Sequence, residues 1–239
     1  MTEWEKWIKY YQRTFYLPAI YILCVITVII VGLIFHRNNK SGRLFLIYLF
    51  LDSIIYSIDE YYRSFTKLSP QDRDLLITST NVLVSFAELN AYLFFFGKIL
   101  QHKKVRKLFL FFRLFFFLLI LIYTINLIKG LRFTSMFKFA EYISTTEFLI
   151  LLVPSLLYYI KLFSENSKEI LMGRPSFWIT TGIFLFIILS IPYYLINHYL
   201  LFNKYRYYSE VTIVFFYIPL ILNYILLTKA FLCRKPLTV

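Results

Sequence analysis

The sequence predicts an all-α polytopic membrane protein, a seven-transmembrane helix bundle with its N-terminus outside and its C-terminus inside. Three observations carry that expectation. The 239 residues are 59% hydrophobic, above the roughly 45 to 50% usual for soluble chains. The apolar residues gather into seven runs, each close to the ~20 residues that a helix needs to cross ~30 Å of hydrocarbon. The 26 Lys and Arg, set against 13 acids, fall mostly in the short breaks between those runs. That pattern encodes topology and contact with anionic headgroups, whereas a nucleic-acid module would carry a recognisable motif, and none occurs. The lipid bilayer is therefore an expected partner and nucleic acid is not.

In chain order, Thr2 and Glu5 have capping-box spacing, and Trp4, Trp7, Ile8 and Tyr11 follow at helical spacing. Residues 1–14 are read as a short interfacial amphipathic segment, 15–229 as the seven-helix domain and 230–239 as a short cytoplasmic tail. Charged residues and tryptophans precede a first apolar run too long for a signal peptide, so no cleavable leader is expected. The predicted spans are Phe15–Phe35, Leu44–Tyr61, Leu75–Gly97, Leu108–Ile128, Phe139–Phe163, Pro175–Asn197 and Tyr208–Thr228. Pro175 starts a span, as proline at a first turn does. Pro154, Pro192 and Pro219 fall inside spans five to seven, where each removes a backbone hydrogen bond and offers a kink or hinge. Tyrosine pairs at 61–62, 158–159, 193–194 and 207–208 sit near span ends as interfacial anchors.

Orientation follows from the basic residues. They favour the odd loops and the C-terminal tail, and the densest group, Lys98, Lys103, Lys104, Arg106 and Lys107, lies in the third loop. Local Lys and Arg density beside span ends is what fixes topology, so that loop is placed inside. Lys103, Lys104, Arg106 and Lys107 are also the expected docking surface for a membrane or cytoplasmic protein partner. A second copy of the chain remains open as a further partner.

The candidate site is a polar seam. Asn81, Ser85, Glu88 and Tyr92 in span three are spaced by four, three and four, which aligns them on one helical face. Asp52 and Tyr56 repeat the pattern in span two, Glu147 with Ser144 extends it from span five, and Glu210 with Tyr217 extends it from span seven. An ionised carboxylate near mid-membrane costs about 2.5 to 3.5 kcal/mol on insertion scales, so these acids should face protein, water or a ligand. Asp59, Glu60 and Glu141 join them at the outer ends, describing an acidic vestibule that narrows toward Glu88. Against that stands a plainer reading. Outer acids can pair with Arg63, Arg132, Lys138 or Arg206, and a buried acid without a cation can stay protonated as a structural group.

Several chemistries lack their residues. His36, His102 and His198 have no partner at i+4, Cys24 and Cys233 lie at opposite ends of the chain, and no Gly-rich phosphate loop, GxSxG or CxxC occurs. No zinc site, disulfide or nucleotide site is expected. The last span carries no lysine in its interior, Lys229 lying at its end, so no retinal is expected, and no cofactor of any kind is assigned.

The run from Asn81 to Phe109, with its FFFGKIL and KKVRKLF segments, the TTEFLILL stretch around Glu147 and PSFWITTGIFLF from Pro175 to Phe186 resemble a family of seven-span membrane proteins from Bacteroidota. That family is similar to the membrane-sensing regions that precede histidine kinases. The resemblance implies a bacterial inner-membrane location and a sensory role. The sequence ends eleven residues after Thr228, so no kinase, receiver or cyclase output of its own is expected. The expectation is a non-enzymatic membrane sensor or signal-relay module, with an outward acidic cavity and a separately encoded output partner. A small proton- or cation-coupled transporter is the alternative, and an intramembrane carboxylate enzyme ranks behind both.

Overall fold

Long apolar runs satisfy their backbone polar groups inside lipid only as helices or closed barrels, and here they are helices. The computed structural model describes residues 20–34, 46–51, 54–55, 70–129, 133–164, 173–202 and 206–233, without the side chains of 70–74, 77, 133–137, 197–198, 200–202 and 206–216. All regular structure among them is helical: α1 (Ile20–Ile34), α2 (46–51, with 54 and 55 also helical), α3 (Pro70–Leu100), α4 (Lys103–Ile128), α5 (Phe133–Ser164), α6 (Pro175–Phe202) and α7 (Arg206–Leu232).

Four segments are long and apolar enough to cross a membrane, namely Thr78–Leu100, Lys103–Ile128, Lys138–Ser164 and Pro175–Ile196, while Ile20–Ile34 and Tyr217–Leu232 are shorter apolar helices. Their outer faces are greasy. On α4, Leu110, Phe111, Leu114, Phe117 and Leu118 are each more than half exposed, a contiguous apolar surface that water would penalise and acyl chains would not. The chain is a multi-pass membrane protein.

The boundaries differ from the sequence reading in one informative place. The basic cluster expected in a loop lies in helix, because α4 begins at Lys103, five residues before the predicted span. Only Gln101 and His102 separate α3 from α4. Gln101 adopts φ 46°, the left-handed conformation that ends many helices. His102 is the N-cap of α4, its Nδ1 accepting from the Lys104 backbone N–H at 3.3 Å. A left-handed residue followed by an N-cap is enough to reverse the chain, so no longer loop is needed. At the other end α7 runs on to Leu232, three residues into the predicted tail. Pro154, Pro192 and Pro219 all lie inside unbroken helices.

The chain divides into two compact units, one built from Asn38–Lys168 and the other from Met1–Arg37 with Glu169–Leu237. In the first, α5 packs chiefly on α3, and α4 touches both. Contacts between Ser79 and Tyr123 and between Tyr123 and Phe139 make α4 antiparallel to its two neighbours. Leu89, Leu93 and Phe96 of α3, Phe116 of α4 and Ile143 and Leu151 of α5 are fully enclosed. In the second unit α6 and α7 form an antiparallel pair. Lys229 lies over the Trp178 ring at 6.0 Å near one end, and α1 meets α7 through Tyr21, whose ring is edge-on to Tyr224 at 5.3 Å.

Candidate functional site

The α3 stripe is graded rather than uniform. Ser85 and Tyr92 are buried, Glu88 is half-buried and Asn81 is exposed. The helix therefore turns most of the stripe inward and leaves Asn81 at the surface. Tyr92 is held by the Tyr48 ring of α2, at 6.0 Å in an edge-to-face arrangement.

The most enclosed acid is on α5. Glu147 is 1% exposed, and it stands one turn from both Ile143 and Leu151, two residues that are themselves fully enclosed. The spacing of four on either side puts all three on one face, so Glu147 occupies the middle of the packed surface of α5. It lies nine residues after Lys138, the start of the apolar segment, or about 13 Å along the helix. A carboxyl at that depth exchanges protons or cations only through protein or a water-filled path. This is the chemistry the arrangement offers: a carboxyl, placed in the interior of a membrane helix, whose ionisation would change the charge of the packed interface. Among the described residues no group of three His, Cys, Asp or Glu is placed to hold a metal ion.

Other predicted residues fall elsewhere. Asp52 and Tyr56 lie outside the described residues, and so does the side chain of Glu210, although its backbone is in α7. The predicted facing of Asp52 and Glu88 therefore also lies outside them. Tyr217 is half-buried against Tyr21, with ring centroids 6.5 Å apart, and belongs to the other unit from Glu88 and Glu147. Lys103, Lys104, Arg106 and Lys107 are exposed on the first turns of α4.

Comparison with protein-family models, with curated proteins and with solved structures returns no match. The geometry alone carries the functional argument.

Three arrangements escaped the sequence reading. Lys161 donates from Nζ to the Ile99 carbonyl at 2.9 Å, tying the end of α5 to the last turn of α3, where carbonyls have no partner in their own helix. Ser79 and Tyr123 share a hydrogen bond between their hydroxyls at 3.2 Å. On α6, a Cβ added at Gly182 would stand 2.6 Å from Asn223 Oδ1, so the two helices cross closely there. Glycine and asparagine inside apolar runs were the available signal, since small residues and amides are what membrane helices use where backbones approach.

Proposed function

We propose that this chain is a non-enzymatic membrane sensor or signal-relay module, a seven-span bundle with its N-terminus outside in the bacterial inner membrane. Its responsive group is the carboxyl of Glu147, and a separately encoded partner supplies the output. The observation that carries this reading is the full enclosure of Glu147 on the packed face of a membrane-spanning helix. Gaining or losing a charge there alters the packing of α5, which is how a small chemical event becomes a helix displacement. Ser85, Glu88 and Tyr92 on α3, the helix on which α5 chiefly packs, supply polar groups that such a displacement would rearrange. The basic residues concentrated where α3 meets α4 support the assignment of that end to the cytoplasm.

The test is the Glu147→Gln variant, which keeps the shape of the protonated acid and removes its titration. Purified wild-type and variant protein are compared by thermal unfolding from acidic to mildly basic pH, with and without organic amines and divalent cations. The wild-type melting temperature should depend on pH or on one of the cations, and the variant should fold but lose that dependence. Identical profiles would remove Glu147 from any sensing role. Uptake of a cation or proton into proteoliposomes, abolished by the same substitution, would replace the sensor with a carrier.

A further inference from the structure

The start of α4 is electrostatically wrong for a helix left to itself. A helix N-terminus is the positive end of the backbone dipole and favours acids, yet the first turn here holds no acid and Lys103, Lys104, Arg106 and Lys107 crowd the first five positions. None of the four makes an ion pair among the described residues. Two turns below Arg106, inside the apolar segment, stands Arg113. It is half-buried, and its Nε is enclosed with no hydrogen-bond partner among the described residues. A guanidinium cannot shed its charge, so an arginine at that depth requires an anion or water.

The helical periodicity shows where such an anion would come from. Phe109, Phe116 and Tyr123 mark the packed face of α4, and Leu110, Leu114 and Phe117, each more than half exposed, mark a flank open to lipid. At about 100° per residue, Arg106 and Arg113 fall on the border between the two, with Lys103 on the same side and Lys104 opposite. Arg106 and Arg113 are separated by about 10 Å along the axis. Helical side chains lean toward the N-terminus, which carries the Arg113 guanidinium up toward Arg106. Cations along the upper part of this border, with exposed leucine and phenylalanine beside and below them, match a molecule that is anionic at one end and hydrocarbon at the other.

We propose that this flank of α4 binds an anionic phospholipid, its phosphodiester held by Arg106 and Arg113 with Lys103 beside them, and its acyl chains lying along Leu110, Leu114 and Phe117. Arginine suits the role because its planar fork gives phosphate two parallel hydrogen bonds. The bound headgroup also supplies the negative charge that the start of α4 lacks. The site needs only that α4 crosses a bilayer, and it is independent of any role of Glu147.

The experiment uses the full chain in neutral detergent, with thermal unfolding and native mass spectrometry read after adding phosphatidylglycerol, phosphatidylcholine or water-soluble glycerol phosphate. Phosphatidylglycerol should raise the melting temperature and remain bound, and the other two should do neither. Arg106→Gln and Arg113→Gln should each weaken phosphatidylglycerol binding by about tenfold, the cost of one charge-assisted contact pair. Arg113→Lys should keep part of the affinity, and Lys104→Gln, on the opposite face, should keep all of it. Should Arg113→Gln fail to fold, the comparison of Arg106→Gln with Lys104→Gln decides the matter at the exposed end. Equal stabilisation by both lipids, or phosphatidylglycerol binding unchanged in Arg106→Gln, overturns the site and returns the basic rim to a protein partner. An equal response to glycerol phosphate overturns it in favour of a free-anion site.

Discussion

The two compact units solve the same problem, enclosing polar groups within apolar helices, with opposite chemistry. The polar groups buried in the α6–α7 pair, among the described residues, do not ionise near neutral pH. Thr180 and Ser190 are fully buried, Asn223 is 3% exposed, and Gly182 gives up its side chain so that Asn223 can lie against α6. The α3–α5 pair encloses a carboxyl, Glu147, among bulky residues such as Ile143, Leu151 and Phe148. Among the described residues, the first interior encloses only neutral polar groups, whereas the second holds a group that can change its charge. A device that must respond to protons or cations needs the second kind, and a device that must hold two helices together is better served by the first.

The sharpest way to break this contrast is at Gly182. Gly182→Val should cost about 1 to 3 kcal/mol or prevent folding, since its Cβ would meet Asn223 Oδ1 at 2.6 Å and the Asn223 carbonyl and Leu226 Cβ at 3.4 Å. Gly182→Ala should cost less, and Asn223→Ala should restore most of that loss by removing the obstructing amide. A double-mutant cycle by thermal unfolding measures the coupling, and additive losses would show that the crossing is not set by this contact. Next in size is Lys161→Met. It removes the bond to the Ile99 carbonyl but keeps the apolar stem, and should lower stability by about 1 to 2 kcal/mol. Hydrogen exchange at the end of α3 should accelerate while α6 and α7 are unaffected.

Tyr123→Phe is milder. It deletes the hydroxyl bonded to Ser79 and keeps the ring stacked on Phe139, so a loss of about 0.5 to 1.5 kcal/mol is expected. The smallest effect concerns Cys233, just past the end of α7. Burial pushes its thiol above the ordinary range, and nearby Lys229 partly opposes this. Alkylation should therefore be slow at neutral pH and quicken as pH rises. Lys229→Gln should slow it further by withdrawing the charge that favours thiolate. A faster reaction in that variant would contradict the assigned roles. Reagents confined to one side of the membrane, applied to the same cysteine, also report on which side the C-terminus lies.

Much of the helical framework was legible because hydropathy and length are local properties. Spans three to six coincide closely with Thr78–Leu100, Lys103–Ile128, Lys138–Ser164 and Pro175–Ile196. The ends were less legible where charge and helix coexist. Lys103 to Lys107 look like loop by composition, but a left-handed Gln101 and a His102 cap let the helix begin before the apolar run does. The centre of the candidate site moved for a different reason. Periodicity singled out Glu88, which has polar neighbours on its own face, whereas enclosure depends on which helix packs against which. Glu147, whose own helical face offers a shorter polar stripe with Ser144, is the acid that packing encloses. The lone Gly182 and Asn223, forty-one positions apart, offered no local sign that they meet.

The short reversal at Gln101 and His102 restricts how any signal could travel. Two residues span at most about 7 Å when fully extended, and here one is left-handed and the other already caps the next helix, so the corner contains no slack. A piston stroke of α3 along its axis would drag α4 with it, and the Lys161 bond to Ile99 would draw the end of α5 along too. Relative sliding is thus closed off at this rim, and the freedom left to these helices is to tilt or rotate about it, with the largest excursions at the far end of the membrane.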